Sequence, residues 1–205
     1  LRRLHSDSER VLVPSVSMLN ELKKYNFKNL VVWNRGVDTE LFNPNKRDIN
    51  SKDTQLTYVG RVAIEKNIEE FLKLKGNYNK IVVGDGPELE KYTNKYPEVN
   101  FVGLKTGEEL AKYYANADVF VFPSKTDTLG NVILEALASG TPVAAYPVTG
   151  PIDVLTDEKI NTLDNDLLQS IKKALKVKRV DCRNFTLNLT WDKCVKEFLE
   201  YMVNV

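Results

Sequence analysis

Two carboxylates and a glycine, Asp127, Gly130 and Glu135, stand eight positions apart end to end, on a loop that runs into a helix-period stretch. A helix that starts at a glycine offers unpaired N–H groups and a partial positive charge, the natural seat of a phosphate. Gly130 lets the backbone come close to such an anion. The loop residues Thr128, Leu129, Gly130 and Asn131 are therefore candidate binding positions, the last three through their N–H groups. Glu135 lies roughly 7 Å up the helix from Gly130, at about 1.5 Å per residue. Asp127 precedes the helix, on the other side of the anion. Carboxylates so separated do not make one acid–base dyad. They suit the gripping of hydroxyls at the two ends of a nucleotide-sugar, ribose at Glu135 and transferred sugar at Asp127, and are the candidate catalytic pair.

Such a pocket needs other walls, and the pattern around it supplies them. Short apolar runs rich in β-branched residues recur at 11–13, 30–33, 56–59, 81–83, 99–102, 119–122 and 142–145. Helix-period stretches over 65–74, 88–96, 108–116 and 130–139 alternate with them, and 164–175 and 191–203 read as amphipathic helices closing the domain. Continuously apolar strands alternating with helices predict an α/β fold, a Rossmann-like doubly wound parallel sheet. Ligands of such sheets bind beyond the carboxyl ends of the strands, where strand order reverses. Counting from Leu56, a 3-2-1-4-5 order makes the first and fourth strands neighbours at that point. The loop after the first carries Arg61 and, five residues on, Lys66 at a helix start. Arg61 can grip phosphate oxygens bidentately and Lys66 adds a point charge. The loop after the second strand, Gly84-Asp85-Gly86-Pro87, is a tight turn with Pro87 at the first helical position, against which a nucleobase could lie. Asp85 either caps that turn or touches the ligand. Leu104, in the turn after the third strand, would close the base pocket.

The totals bound the chemistry. Net charge is +1, from 29 basic and 28 acidic residues, so no global field recruits nucleic acid. Cys182 and Cys194 make neither a metal spacing nor a disulfide framework, which predicts a reducing, cytoplasmic setting. The apolar runs are too short to span a bilayer. The lone histidine, His5, reads as structural or exposed rather than catalytic. The basic run Lys172, Lys173, Lys176, Lys178 and Arg179 reads as a solvated helix face, with contact to anionic lipid as the minority reading. The first-strand loop lacks the G-x-G-x-x-G of a nicotinamide site.

One seam is visible. Residues 1–36 read as the tail of a missing N-terminal, acceptor-side domain plus a hinge, 37–190 as the nucleotide-sugar-binding domain, and 191–205 as a C-terminal closing helix. A lone strand–helix–strand unit at 1–33 cannot bury both faces by itself.

With these residues in hand, the chain resembles the C-terminal half of a GT-B glycosyltransferase of family four, the large retaining group. The resemblance runs through Asn34-Arg35-Gly36-Val37-Asp38, Val59-Gly60-Arg61 with Lys66-Asn67, Val83 to Pro87, Phe101-Val102-Gly103, Ala117 to Ser124 and Glu135 to Pro142. The family's paired glutamates fall on Asp127 and Glu135, so the first is shortened here. The resemblance implies diphosphate contacts at Arg61 and Lys66, ribose at Glu135, donor-sugar hydroxyls at Asp127, and no metal or other cofactor, the nucleoside-diphosphate-sugar being a substrate. It implies a sugar or lipid acceptor held by the missing domain, so that this chain binds donor and turns over little alone. A lipid acceptor would bring the full-length enzyme to a membrane surface. The alternative is a non-catalytic nucleotide-sugar-binding module.

Overall fold

The computed structural model describes residues 3–5, 7–48, 53–127 and 130–203. The apolar runs form strands, and most of the helix-period stretches form helices. In chain order these are β1 (Val11–Val13), α1 (Val16–Lys24), β2 (Leu30–Val32), β3 (Thr54–Val59), α2 (Ile68–Leu72), β4 (Tyr78–Val83), α3 (Leu89–Lys95), β5 (Asn100–Gly103) and α4 (Gly107–Asn116). They continue with β6 (Val119–Phe122), α5 (Asn131–Ala138), β7 (Val143–Ala145), α6 (Pro151–Val154), α7 (Leu167–Ala174), α8 (Arg179–Thr186) and α9 (Trp191–Val203).

The main sheet has the order β5-β4-β3-β6-β7 with every pair parallel. Counted from β3 this is the expected 3-2-1-4-5, and β3 pairs with β6 at the reversal through Leu56–Val119 and Thr57–Phe120. Alternation along β6 explains why its apolar run is unbroken. Phe120 and Phe122 enter one core with Tyr114, Ile133 and Leu137, while Val119 and Val121 enter the other with Leu56, Phe71 and Ile171. Both faces are covered, so neither can be polar.

Three local departures have clear causes. The stretch 65–74 is not one helix: a 3-10 turn at Ile64–Lys66 stops at Asn67, whose φ is +52°, before α2 begins. Asn67 tolerates that left-handed backbone, and its Nδ2 donates to the Pro123 carbonyl at 2.9 Å. Lys66 thus ends a 3-10 turn rather than starting a helix. Pro87 is not the first helical residue either, because α3 starts at Leu89 after the Glu88 N–H has bonded back to the Val62 carbonyl.

The third departure is Arg179, which belongs to no solvated face. It begins α8 and donates to the carbonyls of Ala115, Ala117 and Ser139 and to Thr141 Oγ1, at 2.7–3.1 Å. Arg47 reaches the Ala115, Asn116 and Ala117 carbonyls as well and pairs with Asp118 at 2.6 Å. Two guanidinium groups therefore cap the carbonyl end of α4, where cations are favoured. Burial, then the neighbouring Arg47, pulls Arg179 down to about 10.

Strands β1 and β2 form a separate parallel pair outside the main sheet. Helix α9 crosses to this pair. Trp33 donates from Nε1 to the Cys194 carbonyl at 2.9 Å and packs on Phe198, and Tyr201 donates to the Val32 carbonyl at 3.3 Å. Cys194, Phe198 and Tyr201 thus face the small lobe, while Val195, Leu199 and Met202 stay exposed. The lobe and main domain also meet where Asp153 Oδ1 accepts the Ser17 N–H at 3.0 Å, in the first turn of α1. Cys182 and Cys194 are both buried and unpaired, with burial pushing the Cys182 thiol up to about 12. Among the described residues no helix is long and apolar enough to cross a membrane.

Candidate functional site

A cavity of about 370 Å³ opens at the carboxyl edge of β3 and β6, at the reversal of strand order. Arg61 and Lys66 come to it from the β3 loop, Ser124 and Asp127 from the β6 loop, and Gly130 and Asn131 from the start of α5. Gly130 is the residue before the first helical turn, with φ +74°, a conformation costly for any side chain. Thr128 and Leu129 lie outside the described residues.

The loops are tied to each other before any ligand arrives. Lys66 Nζ is 2.9 Å from Asp127 Oδ2, the two side chains being 31% and 18% exposed, so the cation expected for phosphate already holds the carboxylate expected for sugar. Arg61 leans on Glu65 at 3.3 Å, but both are well exposed and the pair adds little. Beneath, the Tyr58 hydroxyl donates to the Arg61 carbonyl at 2.8 Å and holds the loop from below. Burial, then the charge of Asp127, drives that hydroxyl far above its usual value.

Glu135 is on α5 one turn beyond Asn131, outside the cavity lining. It is half-buried and accepts a hydrogen bond from the Tyr114 hydroxyl at 2.8 Å. Burial raises its pKa above the usual 4.5, and the Tyr114 bond offsets only part of that rise. A carboxylate kept part-dry and held by a fully buried tyrosine is preorganised to accept from a hydroxyl.

The glycines of the β4 loop have a packing reason. A Cβ at Gly84 would overlap the Gly60 carbonyl, and one at Gly86 the Val62 carbonyl. They are small because the β3 and β4 loops pack backbone to backbone, with Gly60 N–H to the Val83 carbonyl and Val62 N–H to the Asp85 carbonyl at 3.0 and 2.9 Å. Asp85 is exposed and accepts the Gly86 N–H at 2.7 Å, as a turn cap does. Leu104 is 71% exposed on the same edge of the sheet. None of Gly84, Asp85, Gly86 or Leu104 lines the cavity itself.

Sequence reasoning missed Arg35, Pro14 and Tyr58 as wall residues. Arg35 sits in the Asn34-to-Asp38 turn that the sequence marks as a hinge, but nothing local says which way it faces.

The profile of the family described as glycosyl transferases group 1 matches residues 40–183, which contain the β3, β4, β6 and α5 loops just described. The chain belongs to the group 1 glycosyl transferases. Among relatives of this glycosyl transferase, a GDP-mannose-dependent alpha-mannosyltransferase of Corynebacterium glutamicum is 34% identical over 82% of the chain and 43% of its own length. Sulfoquinovosyl transferase SQD2 of Arabidopsis thaliana is 36% identical over 78% of the chain and 34% of its own length. The chain thus spans less than half the length of these curated relatives. Its fold matches a sucrose-phosphate synthase from Thermosynechococcus elongatus (TM-score 0.85, 24% identity, 99% of this chain and 60% of that one). It also matches Anabaena HepE in complex with UDP and glucose (TM-score 0.76, 16% identity, 96% and 64%). The five-stranded parallel sheet with flanking helices is the Rossmann-like half of the GT-B architecture.

Proposed function

We propose that this group 1 glycosyl transferase chain is the donor-binding part of a retaining enzyme, which moves a hexose-type sugar from a nucleoside diphosphate to a lipid or glycan acceptor. The observation that carries it is the gathering of Arg61, Lys66, Asp127 and the Gly130–Asn131 helix start on one cavity. As the glycosidic bond breaks, the diphosphate gains charge. Two cations and the helix N–H groups oppose that charge in a partly enclosed site, where fixed dipoles act strongly. Lys66 would exchange part of its hold on Asp127 for the phosphate, which frees the carboxylate to accept from sugar hydroxyls. Glu135, steadied by Tyr114, would take the ribose hydroxyls. No resident metal or nucleophilic side chain is invoked; the departing diphosphate itself can take the acceptor's proton. The acceptor site belongs to the remainder of a longer protein, cytoplasmic and at a membrane surface if the acceptor is a lipid, so the chain alone binds donor without turning it over.

The relatives named for GDP-mannose and the fold neighbour holding UDP put GDP-mannose and UDP-glucose first in a donor panel. Thermal shifts of the chain with UDP-, GDP- and ADP-sugars should single out one class. Arg61→Ala and Glu135→Ala should each abolish most of that shift. Equal shifts in all three proteins, or a preference for NAD, would overturn the reading.

A further inference from the structure

We infer that Arg35 is a third cationic contact for the diphosphate, carried to the cavity by the chain that crosses between the two lobes. The inference rests on the donor-binding reading above. Arg35 lines the same cavity as Arg61 and Lys66, yet lies outside the stretch that matches the family profile. The other two cations each face a carboxylate, Lys66 at Asp127 and Arg61 at Glu65. Among the described residues Arg35 has no ion pair or hydrogen bond, and its guanidinium carbon lies over the Trp33 ring, 5.0 Å from the centroid. Asp153 borders a smaller adjoining cavity with Arg35, but its oxygens accept the Ser17 and Gly150 N–H groups at 3.0 and 3.5 Å.

The cation is also held in place. Trp33, over whose ring it lies, is pinned by its bond to the Cys194 carbonyl and by Phe198, 5.1 Å away between ring centroids. On the other side a Cβ at Gly36 would come within 2.5 Å of the Trp191 nitrogen, and the Val37 N–H donates to the Leu189 carbonyl at 2.8 Å. Cys194 Sγ donates to the Asn34 carbonyl at 3.1 Å. The segment 33–37 is therefore clamped on both sides by 189–198. A guanidinium held over an indole face by cation–π attraction spends no N–H group on a hydrogen bond there, so its donors are left to fork onto an anion.

Charge points to the occupant. Among the described residues the lining carries Arg35, Arg61 and Lys66 against the single carboxylate Asp127. Each phosphate of a nucleoside-diphosphate-sugar bears a negative charge, and departure adds another. Two cations, each already facing a carboxylate, leave that charge under-compensated, and Arg35 lowers the deficit.

The test is calorimetric titration of the chain with inorganic pyrophosphate, UDP, GDP and the parent nucleosides. The proteins are the unchanged chain, Arg35→Gln, Arg35→Lys and Arg61→Ala. Arg35→Gln should weaken pyrophosphate and the bound diphosphate about tenfold, an effect of one lost charge-assisted contact that shrinks at high salt. Arg35→Lys should recover only part of it, since the fork is lost. Nucleoside binding and the unfolding midpoint should stay put, which separates a lost contact from a damaged fold. Unaltered pyrophosphate and diphosphate affinity in Arg35→Gln, with Arg61→Ala weakened, would overturn the role of Arg35 and leave the donor reading standing. Failure of the unchanged chain to bind any diphosphate would overturn the donor reading, and this inference with it.

Discussion

Replacing Gly84 by alanine tests the claim that the β4 loop is glycine-bearing because two backbones touch, rather than because a ligand does. Gly84 has φ +145°, a region reserved almost wholly for glycine and worth about 1–3 kcal/mol against any other residue. Its new methyl would overlap the Gly60 carbonyl oxygen and lie 3.0 Å from that carbonyl's carbon, with a backbone group that cannot swing away. The loops must part, at the expense of the bond from Gly60 N–H to Val83 or the one from Gly84 N–H to Gly103, at 3.0 and 2.9 Å. One such bond is worth about 1 kcal/mol net. The total is roughly 3 kcal/mol, a large part of the 5–15 kcal/mol typical of a domain. Gly103 is the control. Its φ is +74°, but nothing lies within 4 Å of an added Cβ, so Gly103→Ala should cost about 1 kcal/mol. Urea unfolding followed by circular dichroism measures both. Because Gly60 adjoins Arg61, diphosphate affinity should fall in Gly84→Ala and hold in Gly103→Ala. Equal losses of stability in the two variants would refute the reasoning.

Further outcomes follow from the same geometry. Burial raises the Glu135 pKa in the folded chain, so its contribution to stability is fully present below the usual 4.5 and is lost as pH rises through the folded value. Glu135→Gln should therefore be more stable than the unchanged chain at neutral pH, with the gain fading on acidification, in thermal melts run across pH. A gain that grows toward low pH would contradict this. Arg179→Met should lower stability by about 3 kcal/mol, since several carbonyls lose their donor in a part-buried place. Lys172→Ala, on an exposed position of α7, should change it by less than about 0.5 kcal/mol. Chemical denaturation of the two side by side decides whether the basic run is one surface or two different things.

Periodicity made the main sheet legible. Unbroken β-branched runs require cover on both faces, and their alternation with helices leaves the parallel order β5-β4-β3-β6-β7 as a standard solution. That order in turn brought Arg61, Lys66, Asp127 and Gly130 to one edge, because residues just past the carboxyl ends of neighbouring parallel strands have nowhere else to be. The breaks at Asn67 and Leu89 were not legible, since each depends on a hydrogen bond to another loop, from Asn67 to Pro123 and from Glu88 to Val62.

What the sequence by itself determined, then, is the set of elements and the loops that share the crevice, which follow from local pattern and strand polarity. Which groups actually meet was settled only in three dimensions. Tyr114 reaches Glu135 from a different helix, Arg179 reads as one more surface cation until α4 is packed against it, and Arg35 is aimed by a helix more than 150 residues away. Contacts of that kind depend on packing distance and on which backbone groups would otherwise go unpaired, and neither quantity is written in the spacing of residue types along a chain.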